Sequence, residues 1–127
     1  MKMCFPPLAL IFYTDALPEG VGGDARGPVI RIRSKYRKDQ GIHQHELEHV
    51  RQWWRTLGLH SVLYFVSRRY RLWAEAQAYQ MQRWYPRSDG LYLSLNDVAI
   101  RLSQPRYKLG ITVVQAVEYI TGHRRPN

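Results

Sequence analysis

The chain has 127 residues, of which 45% are hydrophobic and 23% charged, a composition typical of one globular domain. This excludes a disordered chain or a fibrous repeat, and no apolar run is long enough to cross a membrane. Lys and Arg outnumber Asp and Glu by 19 to 10, and the net charge of +9 permits attraction to an acidic protein, nucleic acid or anionic lipid. The alternative is a solvated basic surface without such a partner.

The first 38 residues are predicted to be β-rich. Residues 1–13 begin like a secretion signal, but Pro6 and Pro7 interrupt the apolar stretch and no small-residue cleavage site follows. We therefore interpret this segment as a buried strand of a cytoplasmic protein. Its single cysteine, Cys4, excludes an intramolecular disulfide.

A loop and a second strand complete the β-rich part. The Gly and Pro residues of segment 18–24 predict a loop. In segment 29–33, Ile30 and Ile32 alternate with arginines, which is typical of a strand with one wet face.

From Asp39 the hydrophobic period changes from two to 3.6 residues. Asp39 is a predicted N-cap and Gly58 a predicted residue just past the helix C-terminus. The inward face of this helix is predicted to carry Ile42, His45, Glu46, His49, Val50, Trp53 and Leu57. The outward face is predicted to carry Gln44, Glu48, Arg51 and Arg55.

Three further helical regions are predicted. The first runs over residues 61–84, ends before Pro86, and is either continuous or broken near Ser67. Two shorter helices are marked by capping boxes, Ser94 with Asp97 and Thr112 with Gln115, and Gly122 is expected to close the last. The fold class is therefore α+β: a single domain over residues 1–127, with a small N-terminal β-sheet (1–38) packed on a helical part (39–127).

The residues from His45 to His49 fit the pattern H-E-x-x-H on the inward face of the first long helix. Residues four apart on a helix differ by 40° in azimuth and about 6 Å along the axis, so both imidazoles can converge on one zinc ion. Glu46 lies beside the pair and can act as general base toward a zinc-bound water. The alternative is a polar cluster in the core, or an exposed patch paired with Arg51 and Arg55.

A catalytic zinc ion needs a third protein ligand and an open fourth position. The two candidates are His60 and Glu75. Glu75, within the second helical region, is favoured as a ligand over a simple ion pair with Arg71, whereas His60 near a loop is expected to be structural or solvent-facing. The small residues Ala74, Ala76 and Ala78 around it would let that helix approach the first one closely.

The motif His45–Trp53, followed by Glu75–Tyr79, resembles the gluzincin zinc metallopeptidases, most closely the very small minigluzincin type of bacteria and phages. The resemblance spans about residues 29–84. It implies a zincin-like fold, with His45, His49 and Glu75 as zinc ligands and Glu46 as catalytic base. It also implies that the strand over Val29–Arg33 is the edge along which a peptide substrate pairs.

Two residues that the family uses at its active site have no unambiguous counterpart in this chain. Where thermolysin-like gluzincins have an Asp that supports a zinc histidine, this chain has Tyr79, which either replaces that partner or packs in the core. The donor that stabilises the oxyanion is usually a Tyr, His or Arg. The candidates are His60, Tyr64, Tyr70, Arg71 and Tyr79.

The primary hypothesis is therefore zinc-dependent hydrolysis of peptide bonds in a protein or peptide substrate. We expect a monomer in the cytoplasm, or in the host cytoplasm if the chain is phage-encoded, with an open active-site cleft. The alternative is a non-catalytic basic protein that binds nucleic acid or a phage or host component, with zinc structural or absent. Such binding would be steeply salt-dependent.

Overall fold

The computed structural model describes residues 1–123 and has the α+β architecture that the sequence predicts. The end of the predicted helical part, residues 124–127, lies outside the described residues. The strands are β1 (Lys2–Cys4), β2 (Ala9–Tyr13), β3 (Gly23–Arg26) and β4 (Val29–Ile32). The α-helices are α1 (Gln40–Arg55), α2 (His60–Val66), α3 (Arg68–Gln82), α4 (Leu95–Leu102) and α5 (Val113–His123).

The four strands form one mixed sheet in the order β1-β2-β4-β3. The central pair, β2 and β4, is parallel, and both outer pairs are antiparallel. One face of the sheet packs on α1 because apolar side chains alternate toward it. This part of the core contains Ala9, Ile11, Ile30, Ile32, Leu47 and Val50.

The expectation of one buried strand over residues 1–13 is wrong. The segment forms two antiparallel strands, in which Lys2 pairs with Ile11 and Cys4 with Ala9. β2 contributes the buried Ala9 and Ile11, whereas β1 adds only the partly buried Cys4 and its Met3 is 66% exposed. The apolar composition is similar on both sides of the two prolines, so composition alone does not show that the chain reverses between them.

The strand over residues 29–33 is confirmed, but its expected place at the edge of the sheet is wrong. β4 lies inside the sheet, and the edge strand next to it is β3. β3 begins within the segment predicted to be a loop. Its sequence Gly-Asp-Ala-Arg lacks the apolar alternation that marks a strand. The strand is held instead by a cross-strand ion pair, since Nε of Arg31 lies 3.0 Å from Oδ1 of Asp24.

Helix α1 begins as predicted, because Oδ1 of Asp39 accepts a hydrogen bond from the Ile42 amide at 2.9 Å. Its C-terminus differs by one residue from the prediction. Leu57 occupies the left-handed position with φ of 53°, and the Gly58 amide donates to the Trp53 carbonyl at 2.9 Å. Leu57 is therefore 90% exposed, and its predicted place on the inward face is wrong.

Glu48 also departs from the predicted pattern of α1. It was expected on the outward, solvated face but is only 6% exposed. Arg51 and Arg55 each approach its carboxylate to 3.4 Å, and these long side chains cover it.

The second helical region is broken at Ser67, which ends α2 and caps α3 by accepting a hydrogen bond from the Tyr70 amide. Both predicted capping boxes are present, at the starts of α4 and α5. Gly122 does not close the last helix, which runs on to His123.

The second part of the core joins α3 to α4 and α5. It contains Ala76, Tyr79, Leu93, Val98, Ala99, Leu102, Leu109, Ala116 and Ile120. Over residues 1–123, none of the helices combines the length and apolar character that crossing a membrane requires.

Candidate metal centre

Two helices bring the three expected ligands together. His45 and His49 project from α1, and Glu75 projects from α3. The Nε2 atoms of His45 and His49 lie 3.3 and 3.2 Å from Oε1 of Glu75, and all three side chains are buried. One ligand atom of each residue lies within 4.8 Å of the others, a spacing suited to a shared metal ion.

Small residues allow α1 and α3 to approach closely enough for this arrangement. Ala74 and Ala78 on α3 are fully buried. At the N-terminus of α1, a Cβ atom on Gly41 would lie 3.0 Å from Cγ of Gln82 at the end of α3. Any residue other than glycine would therefore require the Gln82 side chain to move. The expected close approach of the two helices is therefore confirmed, but the predicted part of Ala76 in it is wrong, because Ala76 packs in the core shared with α4 and α5.

Two glutamines fix the orientation of the histidine rings. Nδ1 of His45 lies 2.9 Å from Oε1 of Gln82, and Nδ1 of His49 lies 2.9 Å from Oε1 of Gln52. A carbonyl oxygen only accepts hydrogen bonds, so each Nδ1 carries the proton. The neutral form of each ring then presents the lone pair of Nε2 toward Glu75. Two imidazole lone pairs and a carboxylate oxygen form a donor set that fits zinc.

The electrostatics of the buried cluster favour a cation among the three residues. Burial lowers the pKa of His49, but the negative charge of Glu75 and its hydrogen bond raise that pKa to about 9. Burial raises the pKa of Glu75, yet the charge of His49 and the hydrogen bonds from both histidines hold it well below its ordinary value. The carboxylate is thus stabilised in its charged form beside a proton that a metal ion can replace.

Glu46 lies beside the ligands on the next position of α1 and lines the same cleft. It is 5% exposed, and burial raises the pKa of its carboxyl, against the lowering effect of His45 and His49. A carboxylate whose pKa is raised is suited to accept and return a proton.

The three donors and Glu46 lie on the wall of an open cleft of about 820 Å³. One side of the cleft is formed by β3 and the loop before it, and another by α2. The remaining lining comes from the C-terminal half of the chain, including Arg101, Arg106 and Tyr107. The ligand cluster is therefore reached from solvent, as the open fourth position of a catalytic site requires.

Three of the five candidate oxyanion donors line the cleft: His60 and Tyr64 from α2, and Tyr79 from α3. The Tyr64 hydroxyl donates to Oε2 of Glu75, and burial followed by the Glu75 charge raises the pKa of Tyr64. The ring of His60 lies 5.7 Å from that of His49, between centroids. Burial and the nearby His49 lower the pKa of His60 to about 4, so it is neutral at pH 7.

Tyr70, Arg71 and Tyr79 have different partners. The Tyr70 hydroxyl lies 2.7 Å from Nδ1 of His60 and orients that ring. Arg71 donates to backbone carbonyls, at 2.8 Å to Tyr107 and 2.7 Å to Tyr64. The ring of Tyr79 lies edge-on to His45 at 4.4 Å between centroids, but its hydroxyl meets that of Tyr107 at 2.5 Å. Tyr79 therefore packs against His45, and Gln82 supplies the hydrogen bond.

Sequence reasoning missed four residues of this region: Gln52, Gln82, Arg106 and Tyr107. Gln52 follows His49 by three residues, and Gln82 follows Glu75 by seven, which places each on the same helical face as its neighbour. That spacing was a usable signal. Arg106 and Tyr107 enter the cleft from a short 3-10 turn, Pro105–Tyr107, which no local pattern connects to α1.

No protein-family model, curated protein or solved structure matches this chain. What the protein does is therefore argued from the site alone.

Proposed function

We propose that the protein is a zinc-dependent peptidase with a zincin-like fold, in which His45, His49 and Glu75 hold the ion. The observation that carries this proposal is the convergence of three metal-compatible donors on an open cleft, with the carboxylate of Glu46 beside them. A structural zinc site is usually closed by four protein ligands, whereas here the described residues offer a group of three.

A bound zinc ion would supply Lewis-acid polarisation of the scissile carbonyl and would lower the pKa of water. Glu46 takes the proton of the attacking water and then returns it to the leaving amine. Its burial supports this role, because burial raises the pKa of the carboxyl and so makes the carboxylate a stronger proton acceptor. His60 and Tyr64, beside His49, are the candidates for donating a hydrogen bond to the carbonyl oxygen of the substrate.

The edge strand β3 offers the backbone groups that an extended peptide needs. The Arg33 amide donates to the Gly22 carbonyl at 2.8 Å, so alternate residues of β3 are bonded to β4. Gly23 and Ala25 therefore direct their N–H and C=O groups to the open edge. A substrate strand pairing there runs along the cleft past Glu46, and its backbone bonds do not depend on side chains.

The test combines zinc content with cleavage of a mixed library of quenched-fluorescent peptides. We expect about one zinc per chain, weakened in His49→Ala and Glu75→Ala. Glu46→Gln should keep the zinc and lose cleavage by at least about 10³-fold, the upper range of general acid–base effects. Glu48→Gln is the matched control, since this carboxylate is held by Arg51 and Arg55 on the same helix.

Cleavage by Glu46→Gln at the parental rate, or no zinc after reconstitution, would contradict the proposal. Zinc binding without cleavage of any peptide would favour a basic binding protein with a structural ion. That outcome is followed by DNA retention at increasing salt, where a steep loss is expected for nucleic-acid binding.

A further inference from the structure

Three arginines, Arg87, Arg101 and Arg106, line the cleft, and two of them have no carboxylate within salt-bridge distance among residues 1–123. Arg87 is bonded to the carboxylate of Asp89. Among residues 1–123, neither Arg101 nor Arg106 forms an ion pair with a carboxylate. Both belong to the lining of the cleft.

The acidic side chains elsewhere in the lining do not compensate this charge. Asp24 is paired with Arg31, Asp39 caps α1, and Asp89 holds Arg87. Glu46 and Glu75 lie at the metal centre. Asp97, one turn before Arg101 on α4, interacts with that guanidinium from outside the cleft lining, whereas none of the described carboxylates is paired with Arg106. The two guanidinium groups therefore leave a net positive charge on the cleft wall that they line.

Arg106 is held in place by neutral groups. Its Nη2 donates to the Tyr107 hydroxyl at 3.0 Å, and its Nη1 approaches the Gly20 carbonyl at 3.4 Å. The guanidinium also lies 4.8 Å from the centroid of the Tyr107 ring. These contacts orient the guanidinium group without neutralising it, so its charge is available to a ligand.

The positively charged wall is close to the metal centre. The Tyr107 hydroxyl meets that of Tyr79, whose ring contacts His45. Arg101, Arg106 and Tyr79 all line the cleft that contains the metal centre. A peptide whose carboxylate is bound by the two arginines would therefore lie in the same cleft as the zinc ligands.

We propose that Arg101 and Arg106 form a carboxylate-binding subsite of the cleft, which selects peptides with an acidic side chain or a free C-terminal carboxylate close to the scissile bond. A guanidinium matches the planar, two-oxygen geometry of a carboxylate, and these charge-assisted bonds are about twice as strong as neutral ones. The cleavage part of this inference rests on the proposed peptidase function. The binding part does not, because neither arginine is a metal ligand.

The experiment measures binding by isothermal titration calorimetry to the Glu46→Gln protein, with and without chelator. The probes are acetylated, amidated heptapeptides of Ala and Gln in which one Glu moves along the chain. An all-neutral peptide and the same peptide with a free C-terminal carboxylate complete the set. We expect one carboxylate position to tighten binding about tenfold, a typical gain for a hydrogen bond to a charged group.

Arg101→Gln and Arg106→Gln should each reduce this preference to about twofold or less. Arg69→Gln is the control, because Arg69 is an exposed arginine of α3 outside the cleft and the charge change is the same. A gain confined to the moving Glu identifies an acidic side chain as the ligand, and a gain confined to the free C-terminus identifies the terminal carboxylate.

Equal binding of charged and neutral peptides, no binding of any peptide, or a preference that persists in both variants would overturn the subsite. Failure of the peptidase proposal is recognised separately. A protein that binds no zinc yet keeps an Arg101- and Arg106-dependent preference retains the subsite and loses the proposed chemistry. A zinc-loaded protein that cleaves acidic and neutral peptides equally retains the chemistry and loses the subsite.

Discussion

Gln52 links His49 to the backbone of the neighbouring helix. Its Oε1 accepts the hydrogen bond from Nδ1 of His49 at 2.9 Å, and its Nε2 donates to the Ala74 carbonyl at 3.0 Å. The Ala74 carbonyl can only accept, which fixes the orientation of the amide and hence the proton on Nδ1. The Gln52 side chain is 1% exposed. It thus fixes the orientation of the His49 ring and also links α1 to α3.

Replacing Gln52 with Met should weaken zinc binding while preserving the side-chain volume. The substitution removes the acceptor that orients His49, and loss of such a supporting partner typically costs about 10–100-fold in metal affinity. The measurement is a competition titration against a chromophoric chelator. Gln44→Met on the same helix is the control, because Gln44 does not line the cleft. Unchanged affinity in a folded Gln52→Met protein would contradict the role of this glutamine.

Zinc affinity should rise with pH between about 6.5 and 8.5. In the metal-free protein, Glu75 raises the pKa of His49 to about 9 against the effect of burial, so a proton must leave before Nε2 can bind the ion. Release of one proton corresponds to about tenfold in affinity per pH unit. Titrations in buffers of different ionisation enthalpy count that proton, and release of none would contradict the expectation.

The metal-free protein should respond to pH in the opposite direction. Because the pKa of His49 is higher in the folded than in the unfolded chain, its ion pair with Glu75 stabilises the fold fully below about pH 6.5. This contribution is lost as the pH rises through about 9. Urea unfolding of the chelated protein at several pH values checks the sign, with His49→Gln as the comparison that should lack this pH dependence.

Leu57→Gly should stabilise the protein. Leu57 adopts a φ of 53° and is 90% exposed, so the substitution removes backbone strain and loses little burial. The left-handed conformation costs an L-residue about 1–2 kcal/mol, and the greater freedom of glycine in the unfolded chain offsets about half of that gain. We expect a net increase of about 0.5–1 kcal/mol in the free energy of unfolding, and Leu57→Val should have the opposite sign.

Ala78→Val should damage both stability and zinc binding. Ala78 is fully buried three residues after Glu75, and extra methyl groups in a packed core cost about 1–3 kcal/mol. Displacement of α3 from α1 would also move Glu75 away from His49. Ala76→Val is the control, because Ala76 packs in the core shared with α4 and α5. It should lower the melting temperature with a much smaller loss of zinc affinity, and equal losses would argue against the helix contact as the cause.

Local patterns were the most reliable part of the sequence. Asp39, Ser94 and Thr112 each cap the helix expected of them, because a cap depends on residues within one turn. The approach of Glu75 to His45 and His49 was also predictable, since ligand chemistry and helical spacing constrain it strongly.

Features that depend on distant residues were not predictable. β3 is a strand only because Asp24 and its neighbours pair with β4, and its own composition indicates a loop. The burial of Glu48 likewise depends on how two arginine side chains fold over it. Arg106 reaches the cleft through tertiary packing of a short turn, for which hydrophobic periodicity carries no information.

Along the chain, the two histidine ligands precede α2 and Glu75 follows it, so that His49 and Glu75 are 26 positions apart. A bound ion would therefore act as a cross-link that closes this segment into a loop and removes entropy from the unfolded chain. α2 has no fully buried residue of its own, and it is held to α3 by hydrogen bonds between Tyr64 and Glu75 and between His60 and Tyr70. Binding of the ion should consequently slow amide hydrogen exchange in α2 more than in the sheet. The stability of the folded chain would then depend on the concentration of available metal.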